Sequence, residues 1–283
     1  MRLLAPILVA LALFAGSCGR GVERTNEVVA VRVETIPLDP ADPAWNNAPE
    51  HTAKLLVQDL VDPRLMKPSA PEVLVRALTN SADIAFRLSW TDPAQNDLPG
   101  PGRFLDACAI QIPAKIEPDL PDPQMGQSGK PVEIAYWRAD WQATVNGRPD
   151  NINAIYPNAT VDHYPFEAKA LEPGSAAQQA MAKRYSPSAA VGNRRVGPRD
   201  FPVEDMIAEG PGTLAPASRS VSRAKGVYGK PGWSVVIVRP LPAGLAPRVR
   251  TNIAFAVWEG SHEESGARKM RTGWVPLALR EAK

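Results

Sequence analysis

The segment from Ile84 to Thr91 sets Ile84, Phe86, Leu88 and Trp90 on alternate positions, with Arg87 and Ser89 between them. Side chains of a strand point to opposite faces with a period of two, so this pattern predicts a half-buried strand and not a helix. Val73 to Thr79 precedes it, and Asn80-Ser81-Ala82-Asp83 supplies turn residues for a hairpin. Short runs of the same kind recur at Val28 to Ile36, Leu105 to Ile112, Val132 to Trp141, Trp233 to Arg239, Ile253 to Trp258 and Trp274 to Leu279. Many short strands must bury one face of each against a second sheet or close on themselves. Proline strengthens the inference. The chain has 30 prolines in 283 residues, about twice the usual share of about 5%, and proline removes a backbone donor that a helix interior needs. The predicted fold is mainly β: an antiparallel β-sandwich with long proline-rich loops and few short helices.

The first 18 residues read as a signal peptide. Arg2 is followed by an apolar run from Leu3 to Phe14 and then by small residues, too short a run for a membrane span of about 20 residues. Ala15-Gly16-Ser17-Cys18 resembles a bacterial lipobox with Ala15 in the place usually held by leucine, which makes Cys18 the expected lipidation site. The chain is therefore expected at the periplasm or the outer face of a membrane, tethered through Cys18. Residues 23–283 are read as a single domain. Within it, 167–223 is rich in Ala, Pro, Ser, Gly and Arg, and reads as an irregular excursion without a convincing strand; Ser175 to Arg184 is its one short helix.

The remaining cysteine, Cys108, lies in the apolar run DACAIQIP and reads as a buried free thiol. No CxxCH, paired CxxC or HExxH occurs, which removes covalently attached haem c and the common zinc sites. GxSxG, Walker and dinucleotide fingerprints are also missing, so the chain is expected not to be an enzyme. A net charge of +2 gives no reason to expect nucleic acid.

Met125 sits in a loop of Pro, Gly, Asp and Ser (DPQMGQSGKP), directly before the aromatic run with Tyr136, Trp137 and Trp141. A loop methionine usually fills a gap in packing. Its thioether is also a soft, neutral ligand suited to haem iron. Of the three histidines, His262 reads as surface, His51 has no spaced partner, and His163, beside Tyr164 and Phe166, is the alternative iron ligand. Trp90, Trp137, Trp141, Trp233, Trp258 and Trp274 read chiefly as core.

Six segments, in order, resemble the haem b subunit of the periplasmic molybdenum enzymes related to dimethyl sulfoxide reductase, the group that includes ethylbenzene dehydrogenase. They are DPAWNNAPE (42–50), IAFRLSWTDP (84–93), DACAIQIP (106–113), PQMGQSGKPVEIAYWRADWQ (123–142), GWSVVIVRPL (232–241) and TNIAFAVWEGSHEESGARKMRTGWVPL (251–277). The resemblance implies a β-sandwich that buries one b-type haem between a methionine, mapping onto Met125, and a lysine, mapping onto Lys269. Lys225, Lys230 and Met270 are the competing candidates for the second ligand, and Arg138, Arg268 and Arg271 are candidates for the propionates. It further implies an electron-transfer subunit without its own turnover, bound to a molybdenum catalytic subunit and an iron–sulfur subunit. Electrons would pass to or from a cytochrome or a quinol-linked partner. The rival expectation is a haem-free ligand-binding or carbohydrate-binding β-sandwich lipoprotein, which would present exposed tryptophans on one sheet.

Overall fold

In the computed structural model, the described residues are 24–280 apart from 60–61, 150–151, 160–171, 173, 186–192, 194, 196 and 198. The signal segment with Cys18, and His163, lie outside them. The chain is mostly β. Its strands are β1 (Arg24–Thr25), β2 (Val28–Arg32), β3 (Glu50–Lys54), β4 (Glu72–Thr79), β5 (Asp83–Thr91), β6 (Ala107–Pro113) and β7 (Val132–Arg138). After helices α1 (Ala139–Val145), α2 (Ile152–Ile155) and α3 (Ala176–Tyr185) come β8 (Val203–Ala208), β9 (Ala215–Pro216), β10 (Arg223–Gly229), β11 (Gly232–Pro240), β12 (Arg250–Trp258), β13 (Met270–Arg271) and β14 (Val275–Arg280).

The strands pair in the order β10-β11-β5-β4-β2-β14-β12-β6-β7-β8-β9, with β3 also on β4. Strand β12 serves both layers. Arg250–Ile253 pairs with β14, whereas Ala254–Trp258 pairs with β6. A strand that changes partners in this way turns the corner of a sandwich. The main core fills the space between the layers. Ile84, Phe86, Leu88 and Trp90 of β5 meet Val235 and Ile237 of β11, Cys108, Ile110 and Ile112 of β6, and Ile253, Phe255 and Val257 of β12. The thiol of Cys108 is buried there, and desolvation pushes its pKa well up. On the outer face of the first layer, Trp45, Val31, Leu78, Ala85, Val236 and Val238 form a second, smaller core.

The Asn80 turn forms as the sequence suggests. Its side-chain carbonyl accepts from the backbone N–H groups of Ala82 (2.9 Å) and Asp83 (2.7 Å), closing the β4–β5 hairpin. Helix α3 falls where Ser175 to Arg184 predicts one, with Ser175 Oγ accepting from Gln178 N–H at 3.1 Å.

Three expectations need correction. The pairing is not wholly antiparallel: β14 runs parallel to β2, and β2 parallel to β4. The strand expected from Val132 to Trp141 ends at Arg138, and Ala139 opens α1. The Arg138 guanidinium clasps Asp140 (2.7 and 2.9 Å) at this bend, while Gln142 accepts from Gly226 N–H at 2.6 Å and locks the new helix against β10. The 167–223 excursion is also not devoid of strands. Val203–Ala208 pairs along β7, because β7 would otherwise expose an apolar edge. Asp205 fixes the return of the chain by accepting from Val221 N–H (2.7 Å) and Ser222 N–H (2.8 Å).

Candidate functional site

Among the described residues, no helix covers the outer face of the β12-β6-β7-β8 layer. On β12 and β6, period-two alternation sends the bulky residues inward and leaves shorter ones outward. On β12, Ile253, Phe255 and Val257 enter the core, whereas Ala254 and Ala256 face out. On β6 the outward residues include Ala109 and Gln111. The register sets them in rows. Ala256 lies beside Ala109, which lies beside Tyr136; Ala254 lies beside Gln111, then Ile134, then Met206. The result is a floor with three alanines at its centre.

Loops build walls on this floor and enclose a cavity of about 640 Å³, within the range of about 300–1,000 Å³ typical of small-molecule and cofactor sites. One wall is the loop of Met125, whose side chain packs on the apolar patch of the floor. Met125 has a φ of 74°, the left-handed region that costs an L-residue about 1–2 kcal/mol. Its surroundings impose this conformation. Gly210 N–H donates to the Met125 carbonyl (2.8 Å), Gly126 N–H to the Asp122 carbonyl (2.9 Å), and Gln111 of the floor donates to the Pro123 carbonyl (3.0 Å). Gly126 is required, since a Cβ there would lie 2.9 Å from the Lys130 carbonyl and 3.0 Å from that of Ala208.

The opposite end of the sequence contributes the other notable wall. After a short 3-10 helix at Gly260–His262, the chain returns along β12 as β13. Alternation on this returning segment buries Met270 in the main core and leaves Lys269 and Arg271 on the cavity. Phe255 and Thr272 bind each other twice at 2.9 Å and fix the register. Lys269 Nζ lies 5.5 Å from the centre of the Trp258 ring and contacts the Gly266 carbonyl at the outer limit of a hydrogen bond, 3.5 Å. Among the described residues no carboxylate pairs with it. Desolvation first, and then the charge of Arg271, lower its pKa.

Charge around the cavity is lopsided. Among the described residues, Arg103, Arg138, Arg195, Lys269 and Arg271 line it, against one carboxylate, Glu264. Arg138 is held by Asp140 and Arg195 reaches Glu204 at 3.7 Å. Among the described residues Arg103 and Arg271 have no acidic partner. Glu264 is buried. It accepts from Ser69 Oγ and from Glu259 N–H (2.9 Å), and burial pushes its pKa up to about 7. Tyr136 stacks edge-on with Trp141 and Trp258, and burial raises its phenol to about 12, so it stays neutral.

Met125 and Lys269 thus meet at one cavity. The competing residues lie elsewhere: Met270 is in the core, Lys225 pairs with Asp39 at 3.1 Å, and Lys230 is exposed at the β10–β11 turn. Arg138 and Arg271 reach the cavity, whereas Arg268 does not line it. His51 is buried against the Thr25 carbonyl, and His262 pairs with Glu259 away from the cavity. Sequence reasoning missed Glu264, Arg103, Arg195, the thioether of Met206 and the alanine floor. The alanines carried a readable signal, since Ala107 and Ala109, like Ala254 and Ala256, occupy alternate positions of strands that otherwise read as apolar on both faces. None of the seven tryptophans is exposed, so none of them forms an open platform.

The family model described as "Ethylbenzene dehydrogenase" matches residues 42–270. A protein of Haloferax mediterranei, "Putative respiratory nitrate reductase heme subunit ORF7", is 23% identical over 282 residues, covering 95% of this chain and 80% of its own length. Among solved structures, a family 9 carbohydrate-binding module from Caldicellulosiruptor kristjanssonii in complex with glucose aligns with 92% of this chain and 97% of its own. That alignment has 8% identity and a TM-score of 0.38, too slight a likeness to carry an inference.

Proposed function

The chain belongs to the ethylbenzene dehydrogenase family, and from that premise we propose that it is a haem-binding, non-catalytic electron-transfer subunit of a respiratory oxidoreductase complex. The observation that carries this reading is that Met125 and Lys269, far apart in sequence, line one cavity. The name of the Haloferax relative, a heme subunit, supports the same class.

The residues present fit a b-type haem. The alanine floor offers a flat apolar surface, and the cavity is large enough for a cofactor. Met125 would hold the iron through its thioether. Lys269 would hold it through its neutral amine, the only form with a free lone pair. The cavity prepares that form, because it desolvates the ammonium and, among the described residues, pairs it with no carboxylate. Arg103 and Arg271, which have no acidic partner among the described residues, would receive the two propionates, for which arginine is well suited. When bound, haem would supply one-electron redox chemistry at iron. The protein's part is to exclude water over the alanine floor and to hold both ligands without rearrangement. Met125 is suited to this, since its backbone is pinned before any ligand arrives.

By the same reading the complex contains a molybdenum catalytic subunit and an iron–sulfur subunit, and this chain would pass electrons between the iron–sulfur subunit and a cytochrome or a quinol-linked partner. The chain would be exported through its first 18 residues and anchored at Cys18.

The test is a reduced-minus-oxidised optical spectrum of the full chain, produced with its partner subunits in a haem-loading host. Wild type should show a low-spin b-type spectrum. Met125→Ala and Lys269→Ala should each turn it high-spin or abolish it, while Met206→Leu, which alters the other cavity thioether, should leave it low-spin. Folded, haem-supplied wild type without a Soret band would refute the proposal.

A further inference from the structure

Away from the cavity, three carboxylates meet in the interior. Asp92 follows β5, Asp106 precedes β6 and Glu259 follows β12, so the group ties one layer of the sandwich to the other. Each offers an oxygen, and these oxygens lie within 4.8 Å of one another. The side chains are 1%, 0% and 1% exposed. Three carboxylates at this spacing cannot all be ionised in a dry interior without a counter-charge.

The surrounding groups compensate two of them. Asp106 accepts from Asn96 N–H (2.7 Å), Gly260 N–H (2.9 Å) and the Trp233 indole (2.8 Å). Glu259 accepts from Ser261 N–H at 3.1 Å and pairs with His262. Asp92 differs. Its Oδ1 accepts from Ala94 N–H at 3.1 Å, but its Oδ2 is fully buried with no hydrogen-bond donor. The Trp90 indole is close enough to lower the Asp92 pKa, but it falls outside hydrogen-bond geometry, which leaves its N–H and Asp92 Oδ2 both without a partner. Burial first, and then the charges of Asp106 and Glu264, push the Asp92 pKa up to about 7 against the opposing pull of Ala94 N–H and the Trp90 indole. A buried carboxylate oxygen of this kind, beside two further carboxylates, can serve a cation as a ligand.

We propose that Asp92, Asp106 and Glu259 form a structural site for a divalent cation, Ca²⁺. The donor set is all oxygen, which suits Ca²⁺, Mg²⁺ or Mn²⁺ and not zinc or copper. Oxygens at about 2.3–2.6 Å from Ca²⁺ can stand up to roughly 5 Å apart, whereas the shorter bonds of Mg²⁺ allow only about 4.2 Å. Oxygens within 4.8 Å of one another leave room for the larger ion. The site is independent of the cofactor reading, since none of its three carboxylates lines the cavity.

The test uses the full chain, washed with EGTA and titrated with CaCl₂ by calorimetry and by thermal denaturation. One equivalent should bind, with a saturable rise in Tm of about 5 °C at a hundredfold excess over Kd. Asp92→Asn removes the unpartnered charge, so this variant should fold, melt no lower than wild type in EGTA, and bind Ca²⁺ more than about tenfold more weakly. Glu259→Gln should also lose the Ca²⁺ response. Absence of binding by wild type at millimolar Ca²⁺, Mg²⁺ and Mn²⁺ would overturn the proposal in favour of carboxylates that share a proton. Unchanged binding by Asp92→Asn would overturn it by placing the ion elsewhere.

Discussion

The backbone N–H of Gly210 donates to the carbonyl of Met125 at 2.8 Å, joining the turn after β8 to the loop before β7. This bond, with the φ of 74° at Met125, means that the fold holds a methionine where glycine would be easier. Met125→Gly separates the two demands. Relief of the left-handed strain offsets much of the lost side-chain packing and the extra freedom of the unfolded chain, so the apoprotein should stay within about 2 kcal/mol of wild type by urea denaturation. The haem spectrum should nevertheless be lost. A variant that kept a low-spin spectrum would show that Met125 is not a ligand.

Lys269 should make the apoprotein more stable at alkaline pH. Its folded pKa lies below its ordinary value of about 10.5. Between the two values the unfolded chain binds more protons than the folded one, so stability rises with pH across that window. Below the folded pKa the cost of burying the ammonium is fully present. Lys269→Met removes it, and should raise apoprotein stability at pH 7 and flatten the rise toward pH 10. Denaturant titrations at several pH values check both points.

Glu264 acts with the opposite slope. Its folded pKa of about 7 lies above its ordinary 4.5, so the folded state holds the extra proton between those values. Its contribution is fully present below pH 4.5 and is lost as pH rises through 7, by an amount on the order of 3 kcal/mol. Glu264→Gln mimics the protonated form and should abolish this part of the decline between pH 5 and 8, as read by melting temperature.

The alanine floor can be filled. Ala109→Leu projects an isobutyl group from the centre of the floor into the cavity. The cavity is open space, so the fold should tolerate it, with a Tm within a few degrees of wild type. Haem retention on gel filtration should fall by more than about tenfold. Ala77→Leu, in the packed core, should do the reverse: overpacking there costs about 1–3 kcal/mol without touching the cavity.

Local chemistry settles the parts of this protein that the sequence determines by itself. The alternation in Ile84 to Trp90 dictates a strand with one face inward. Asn80 dictates the turn, and Ser175 with the Ala- and Gln-rich run after it dictates α3. The resemblance to a family pointed to Met125 and Lys269. What alternation cannot express is which strand becomes whose neighbour, since any two strands with a matching face satisfy the period. Only the tertiary structure shows β14 beside β2 in parallel, β12 shared between layers, and β8 drawn out of a segment rich in Pro, Gly and Ser to cover β7. The same reason hides the cavity. Ala109, Ala254 and Ala256 look like weak strand positions until register lays them side by side, and Lys269 looks like a solvated charge until β13 folds it over that floor. A side chain's environment is set by what packs against it from distant parts of the chain, and burial is decided for the molecule as a whole.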